Sequence, residues 1–404
     1  MAVLFVLGFS SGLPLLLTGQ TLQVWLTDAK LDIKQIASFA AVGLPYTFKF
    51  AWAPLLDRYA LPFLGRRRGW ILTFQILLAA ALVVMASSEP ATDPEFMAIL
   101  AVIVATLSAS QDIVIDAYNA DLLEPAERAA GSAVYVMGYR VAMLIAGSLA
   151  LVIADHVVWQ VVYLLMAACM VIGMVGTLVA EEPPLRDRPP RSIDEAIIKP
   201  FVEFFTRLGW RALVILAFAA TYKFGEQFAQ VLTQTFFRKE IGFTKTEIGV
   251  LSKAVGFTAW AIGGMLGGGL VARFGVRKML VAFGILQALT HVAYLWIAVA
   301  GKDLTVFGVA IFIENLSFAM ATAAFVASLM AVTAPSVSAT QFALLTSLSS
   351  VGQRVFGTFA GDVVTNVGWT GFFLTTIAMA VPGIVLAWFS VTSASETPRR
   401  PETP

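Results

Sequence analysis

Residues 48–70 read FKFAWAPLLDRYALPFLGRRRGW, an apolar segment that ends in a charged loop. Lys49 lies inside the apolar part, and Asp-Arg-Tyr follows at 57–59. Proline and glycine predict turns in the loop. Three arginines at 66–68 stand directly before the next apolar run. The stretch is typical of a short, basic connection between two membrane-spanning helices.

The composition indicates a membrane protein. Of the 404 residues, 58% are hydrophobic and 13% are charged, whereas a soluble domain usually has about 25% charged residues. The net charge of +1 gives no argument for binding nucleic acid. The single cysteine, Cys169, excludes an intramolecular disulfide and lies in an apolar run, where we expect a packing role.

About twelve apolar runs are long enough to cross a bilayer, which needs about 20 residues per helix. Each is predicted to be helical, because backbone groups in lipid must bond within their own segment. The first run is a span in its own right, so no cleavable signal peptide is expected. The approximate spans are 2–26, 35–56, 70–88, 95–118, 127–154, 157–180, 211–236, 245–270, 278–299, 304–332, 338–364 and 368–392.

One connection is much longer than the others. Residues 181–210 begin with Glu-Glu-Pro-Pro, continue with arginines and prolines, and contain an amphipathic piece at 193–205. We expect a cytoplasmic linker here, between an N-terminal six-helix bundle at 1–180 and a C-terminal bundle at 211–394. The Pro- and charge-rich tail at 395–404 is expected to be disordered.

Lysine and arginine are unevenly divided between alternate loops. One set of loops holds sixteen of them, including the arginine triplet, and the other set holds six. By the positive-inside rule, we expect both termini and the linker to be cytoplasmic.

The loop after the second run has a counterpart after the eighth. Residues 273–278 read RFGVRK and repeat the loop type of 57–68 at the same point of the second half. The second copy has Ala272 where the first has Asp57. Such a repeat is expected of a duplicated six-helix unit. The sequence therefore predicts an all-α membrane protein with twelve transmembrane helices in two pseudo-symmetric six-helix bundles.

The loop at 57–68 resembles the signature loop of the major facilitator superfamily. Longer stretches along the whole chain resemble the AmpG-type muropeptide permeases of that superfamily. These stretches are Gly8–Thr27, Phe48–Trp70, Ser108–Ala117, Gly138–Arg140, Tyr222-Lys223, Gly284–Gln287, Glu314-Asn315 and Ser338–Leu345.

This resemblance implies the major facilitator fold and a place in the bacterial inner membrane. It also implies import of N-acetylglucosaminyl-1,6-anhydro-N-acetylmuramyl peptides from periplasm to cytoplasm, for peptidoglycan recycling. In that family the imported products also feed β-lactamase induction.

The superfamily resemblance further implies a latch on the inner side. An acid at the inner end of the fourth helix commonly pairs with the signature-loop arginine, which is Arg58 here; Asp116 and Asp121 are the acids at that place. Asp57 is expected near the N-terminus of the eleventh helix, where a carboxylate is favourable by about 0.3–1 kcal/mol. Arg273 occupies the repeated loop.

Several ionisable residues lie deep inside predicted spans. A charge at a helix centre costs about 2.5–3.5 kcal/mol, so each needs a partner or a function. One interpretation is mutual pairing, for example between Lys223 and Glu226 across one helical turn. The other is a central cavity with surplus positive charge, suited to a substrate with carboxylates. The deep cations are Lys49, Arg140, Lys223, Lys253 and Arg354, against the acids Asp112, Glu226 and Glu314.

Polar side chains follow single faces of several spans. On the seventh, Lys223 is followed by glutamines at 227, 230 and 234; on the fourth, a polar face extends from Ser108 to Asn119. Amides and hydroxyls suit sugar recognition, while interhelical hydrogen bonding is the alternative. The predicted substrate-binding residues are Gln20, Gln23, Tyr46, Lys49, Asp112, Arg140, Lys223, Gln227, Gln230, Lys253, Glu314, Asn315 and Arg354.

We expect transport to be driven by the proton gradient, through proton symport. The sequence has no G-x-x-x-x-G-K-[ST] loop for ATP. The two histidines are far apart in sequence and predict no metal site, and His291 is expected to be a packing residue. Asp112, Glu226 and Glu314 are the acids placed to titrate.

Three alternatives stay open. One is a transporter of another anionic metabolite such as acetyl-CoA, from a distant branch of the same family. Another is a membrane-embedded enzyme of cell-wall precursor metabolism, which needs a nucleophile or metal that the sequence does not display. The third is a passive channel. We expect a monomer whose partners are the muropeptide, protons and the lipid bilayer, with no enzymatic activity, cofactor or nucleic acid.

Overall fold

A computed structural model describes residues 1–124, 127–183, 199–333 and 338–390, and these residues form helices and connections without strands. The first six spans are α1 (Ala2–Asp28), α2 (33–58), α3 (Arg66–Ala86), α4 (Pro94–Leu122), α5 (Ala130–Ala154) and α6 (Trp159–Val179). The next six are α7 (Arg211–Ile241), α8 (Lys245–Phe274), α9 (Val276–Ala300), α10 (Leu304–Val332), α11 (338–367) and α12 (369–390).

The helical segments α1–α12 differ in regularity. By length and composition, nine helices of the described chain suit a membrane crossing, or ten when α7 is counted with the helix bent from it. That count takes α11 and α12 as one helix, although Gly368 with a φ of 69° separates them. It also omits α2, which is broken into short α and 3-10 pieces.

Prolines explain the breaks in α2. Pro45 and Pro54 each stand in the first turn of a new helical piece, where the missing N–H group is tolerated. Between these pieces, Lys49 begins a 3-10 turn, Lys49–Ala51. Lys49 therefore lies in a distorted part of α2.

The described chain forms two compact units. Unit 1 consists of Met1–Ile193 and Leu232–Ala254; unit 2 consists of Asp194–Val231 and Val255–Pro404. Unit 1 thus combines α1–α6 with the segment 232–254, where α7 ends and α8 begins. Within unit 1, the hydroxyl oxygens of Thr27 and Thr235 lie 3.0 Å apart.

A short amphipathic helix, Lys199–Leu208, precedes α7 in unit 2. It covers the end of the piece predicted at 193–205; residues 184–198 and the predicted tail lie outside the described residues. Phe204 is buried in the core of unit 2, while Arg207 Nη2 donates to the Val332 carbonyl at 2.8 Å. The helix therefore packs on the end of α10.

Glycines bring α1 and α5 into backbone contact in unit 1. A Cβ atom on Gly8 would lie 2.1 Å from the backbone oxygen of Tyr135, and one on Gly138 would lie 2.0 Å from that of Phe5. Small residues permit this approach between membrane helices. The contact holds the Tyr135 side of α5 against α1.

Gly138→Ala is expected to destabilise the protein by about 1–3 kcal/mol, because the added methyl group overpacks the α1–α5 contact. Gly264→Ala is the matched control, since a Cβ there would meet nothing within 4 Å. Thermal melting of the purified variants measures the difference. Equal melting temperatures for the two variants would contradict the packing argument.

Candidate functional site

One lysine lies with two carboxylates in unit 1. Lys49 Nζ lies 3.8 Å from Asp116 Oδ2, and these side chains are 35% and 58% exposed. Asp112 is half-buried one turn away on α4 and also interacts with the charge of Lys49. The Ser11 hydroxyl of α1 donates to Asp112 Oδ1. Two carboxylates therefore share a single cation.

A separate amide network lies beside this acid pair. Gln75 Nε2 donates to Ser10 Oγ at 3.1 Å, and Gln111 Nε2 lies 3.4 Å from the same oxygen. The Thr177 hydroxyl donates to Gln75 Oε1 at 2.9 Å. All four side chains are buried, so the network joins α1, α3, α4 and α6.

The structure places other basic side chains beside the two acids that were predicted to pair with Arg58. Asp116 pairs with Lys49, and Asp121 Oδ2 lies 2.8 Å from Arg67 Nε. Arg58 ends the last helical piece of α2, is exposed, and lies over the ring of Tyr59. Lys49 and Arg67, in contrast, lie beside acids of α4.

The structure gives no ion pair for the other two predicted latch residues, Asp57 and Arg273, within the part of the chain that it describes. The side chain of Asp57 lies outside the described residues. The guanidinium carbon of Arg273 lies 5.2 Å from the ring centroid of Phe274. The latch stays a prediction.

The arginine triplet has a structural role that its sequence did not predict. Glu182, after α6, accepts hydrogen bonds from the backbone N–H groups of Arg67 and Arg68, at 2.7 and 3.1 Å. It thereby caps the positive N-terminus of α3. Arg68 Nε also donates to the Thr177 carbonyl at 3.0 Å, so the loop joins α3 to α6.

Unit 2 has a second lysine inside its helices. Lys223 is 4% exposed, and its Nζ lies 3.4 Å from Gln287 Oε1 and 3.3 Å from the Phe318 carbonyl oxygen. The Phe318 ring centroid lies 4.0 Å away, which adds a cation–π contact. These groups from α9 and α10 solvate the ammonium.

Two buried carboxylates accompany Lys223. Glu226 and Glu314 are 3% and 6% exposed, and both interact with the charge of the lysine. Glu226 accepts from the Gln230 amide, and Glu314 Oε2 from Asn315 Nδ2 at 2.9 Å. Lys223 therefore interacts with two acids that each accept a hydrogen bond from an amide, and unit 2 repeats the charge pattern of unit 1.

The remaining predicted site residues are distributed over both units. Arg140 is half-buried on α5, with Nη1 3.8 Å from the sulfur of Met143; Arg354 is half-buried on α11. The side chain of Lys253 lies outside the described residues. Unit 1 contains Gln20, Gln23, Tyr46, Lys49, Asp112 and Arg140, and unit 2 contains Lys223, Gln227, Gln230, Glu314, Asn315 and Arg354.

Sequence reasoning missed a charged cluster at the ends of α1, α6, α7 and α8. Asp28 Oδ1 accepts from Arg238 Nε at 2.8 Å, and Asp28 Oδ2 lies 3.2 Å from Lys245 Nζ. Trp159 Nε1 also donates to Asp28 Oδ2, at 3.1 Å. The sequence could have indicated this cluster, because its residues all lie at the ends of apolar runs on the same predicted side of the membrane.

Asp155 extends the cluster outside the spans. Burial opposes ionisation of its carboxyl, but the hydrogen bonds from Thr246 and the charge of Lys245 outweigh burial and lower its pKa. A lowered pKa in the folded state stabilises the protein above the ordinary aspartate pKa of about 3.9. This contribution is lost as the pH falls through the folded-state value.

Asp28→Asn is expected to lower the stability of unit 1 by about 2 kcal/mol, since hydrogen bonds to charged groups contribute about 1.5–3 kcal/mol. Asp32→Asn is the matched control, because Asp32 is exposed and asparagine also caps a helix. Thermal melting at neutral pH compares the two. A control that melts as low as Asp28→Asn would show that the cluster is not responsible.

The structure agrees with the packing role expected of His291. It is buried, and its Nδ1 lies 2.8 Å from the Thr376 hydroxyl, which itself donates to the Phe373 carbonyl. His291 Nδ1 is therefore the donor. Over the residues that the structure describes, no group of three or more His, Cys, Asp or Glu side chains is placed to hold a metal ion.

Two units of apolar helices with charged groups inside the spans are typical of a membrane transporter. The chain belongs to the Major Facilitator Superfamily, whose family model matches residues 1–233 and 224–404. The predicted all-α major facilitator fold is confirmed, and the protein is a multi-pass secondary transporter.

The chain is 46% identical to the anhydromuropeptide permease of Escherichia coli K12 over 386 residues, which is 95% of this chain and 78% of the relative. The nucleoside transporter NupG, as its D323A mutant, has a similar structure: TM-score 0.76, 14% identity, 96% of this chain and 98% of that one. A D-xylose-proton symporter has a TM-score of 0.73 at 12% identity, with 96% of both chains covered. At these identities the two structures show a shared fold alone.

Proposed function

We propose that the protein imports N-acetylglucosaminyl-1,6-anhydro-N-acetylmuramyl peptides into the cytoplasm together with protons, for peptidoglycan recycling. The observation that carries this proposal is the 46% identity to an anhydromuropeptide permease along 95% of the chain. The proposal includes an inner-membrane location with both termini cytoplasmic, which the distribution of lysine and arginine supports.

The planar guanidinium group makes arginine the favoured anchor for the peptide carboxylates. A guanidinium binds a carboxylate through two parallel hydrogen bonds. Arg140 and Arg354, both half-buried within spans, are therefore the proposed anchors. Gln20 and Gln23 on α1 and Gln227 on α7 offer amides for the sugars.

The same charge balance supports proton coupling. Each cluster carries a net charge of −1 when all three groups are ionised, and in the buried cluster of unit 2 an uncompensated charge is costly in a low dielectric. Binding one proton makes each cluster neutral. We assign that proton to Asp112 in unit 1, because Asp116 is more exposed and pairs with Lys49, and to the Glu226–Glu314 pair in unit 2.

Arg140→Gln is expected to lower kcat/KM for muropeptide uptake about 10- to 100-fold, since a lost charged hydrogen bond costs about 1.5–3 kcal/mol. The measurement is entry of labelled anhydro-muropeptide into right-side-out membrane vesicles. Lys30→Gln, an exposed charge change between spans, is the control. If Arg140→Gln takes up the substrate at the wild-type rate, Arg140 does not bind the peptide carboxylates.

The same vesicles separate the alternatives. A protonophore should abolish concentrative uptake by a symporter, whereas a passive channel keeps its flux. Excess acetyl-CoA should not compete; competition would indicate a carrier for another anionic metabolite. The label recovered inside should be chemically unchanged, since an enzyme would convert it.

A further inference from the structure

A chain of three hydroxyl and carboxyl groups connects α5, α1 and α4. The Tyr135 hydroxyl donates to Ser11 Oγ at 3.0 Å, and the Ser11 hydroxyl donates to Asp112 Oδ1. An ionised carboxylate only accepts, so Ser11 directs its single proton to Asp112 and accepts from Tyr135. The direction of the chain is therefore fixed while Asp112 is ionised.

The packing of α1 makes this chain possible. The backbone contact between Gly8 and Tyr135 brings the tyrosine to the face of α1 that carries Ser11. Ser11 is 1% exposed. The neighbouring Ser10 turns to the amides of Gln75 and Gln111 instead. Two adjacent serines of α1 thus serve two separate networks, and only one of them contacts an acid.

The groups that titrate near Asp112 come from three helices. They are Lys49 on α2, Asp116 on α4 itself, and Tyr135 and Tyr139 on α5. Tyr139 also interacts with Tyr46 on α2 and Arg140 on α5. From α1 and α3, the contacts in this region come from serine and glutamine side chains, which do not titrate. The Ser11 hydroxyl is therefore an uncharged group that donates a hydrogen bond directly to the Asp112 carboxylate.

We infer that Ser11 and Tyr135 are positioning residues for proton coupling: Ser11 holds and stabilises the Asp112 carboxylate, and Tyr135 acts through Ser11. This inference rests on the proposed proton symport with Asp112 as a proton carrier. Hydrogen bonds along such a chain strengthen one another. A donor to the ionised form favours that form, so removing the donor shifts the balance toward the protonated acid.

The test is the pH dependence of muropeptide uptake in vesicles. Uptake by a proton symporter falls as the pH rises, and Ser11→Ala should move its half-maximal pH upward by about one unit, as expected for one lost charged hydrogen bond. Tyr135→Phe should shift it in the same direction by less. The double variant should match Ser11→Ala alone, because Tyr135 acts only through Ser11.

Controls separate positioning from packing. Ser11→Thr keeps the hydroxyl and should restore the wild-type profile. Ser10→Ala disturbs the amide network and should lower the melting temperature without moving the pH profile. Tyr135→Phe removes one oxygen atom, so it tests the chain even where Ser11→Ala does not fold.

Asp112→Asn separates this inference from the function beneath it. If Asp112→Asn keeps the wild-type pH dependence of uptake, Asp112 is not a proton carrier. Where Asp112→Asn loses that dependence, unshifted profiles of Ser11→Ala and Tyr135→Phe would overturn the positioning role alone. Additive shifts in the double variant would overturn it too, since they would mean that the two residues act independently.

Discussion

The balance of charge inside apolar helices is the constraint on which the rest of this structure depends. Among the described residues, each unit has a cluster of one lysine and two carboxylates, around Lys49 in unit 1 and Lys223 in unit 2. In such surroundings, when one group gains or loses a proton, the pKa values of the neighbouring groups change as well. One proton per cluster changes the local net charge from −1 to zero. This exchange supplies a physical basis for coupling substrate movement to protons.

Glycine contacts determine which polar groups meet. On α1, Gly8 allows the approach that places Tyr135 beside Ser11. In unit 2, Gly263 and Gly267 of α8 pack on the backbone of α10, while a Cβ on Gly256 would lie 3.2 Å from the Asn315 amide. The close approach of helix backbones therefore orients the polar side chains as well as stabilising the bundles.

The sequence predicted the fold class and the acids inside the helices, because these follow from hydropathy and from the cost of charge in lipid. It did not predict the partners. Arg58 and Lys49 both lie on α2, and only the broken course of that helix decides which of them reaches Asp116. The cluster at Asp28 and Arg238 joins residues 210 positions apart, which hydropathy cannot connect. The predicted surplus of positive charge also weakens once Asp116 is paired with Lys49.

The most direct test of the central claim is proton movement coupled to substrate. Proteoliposomes with a pH-sensitive dye inside receive unlabelled anhydro-muropeptide outside, with no imposed gradient. The interior should acidify on addition of the muropeptide, and Asp112→Asn or Glu226→Gln should reduce the acidification more than it reduces substrate exchange. Entry of the muropeptide without any acidification of the interior would contradict proton symport.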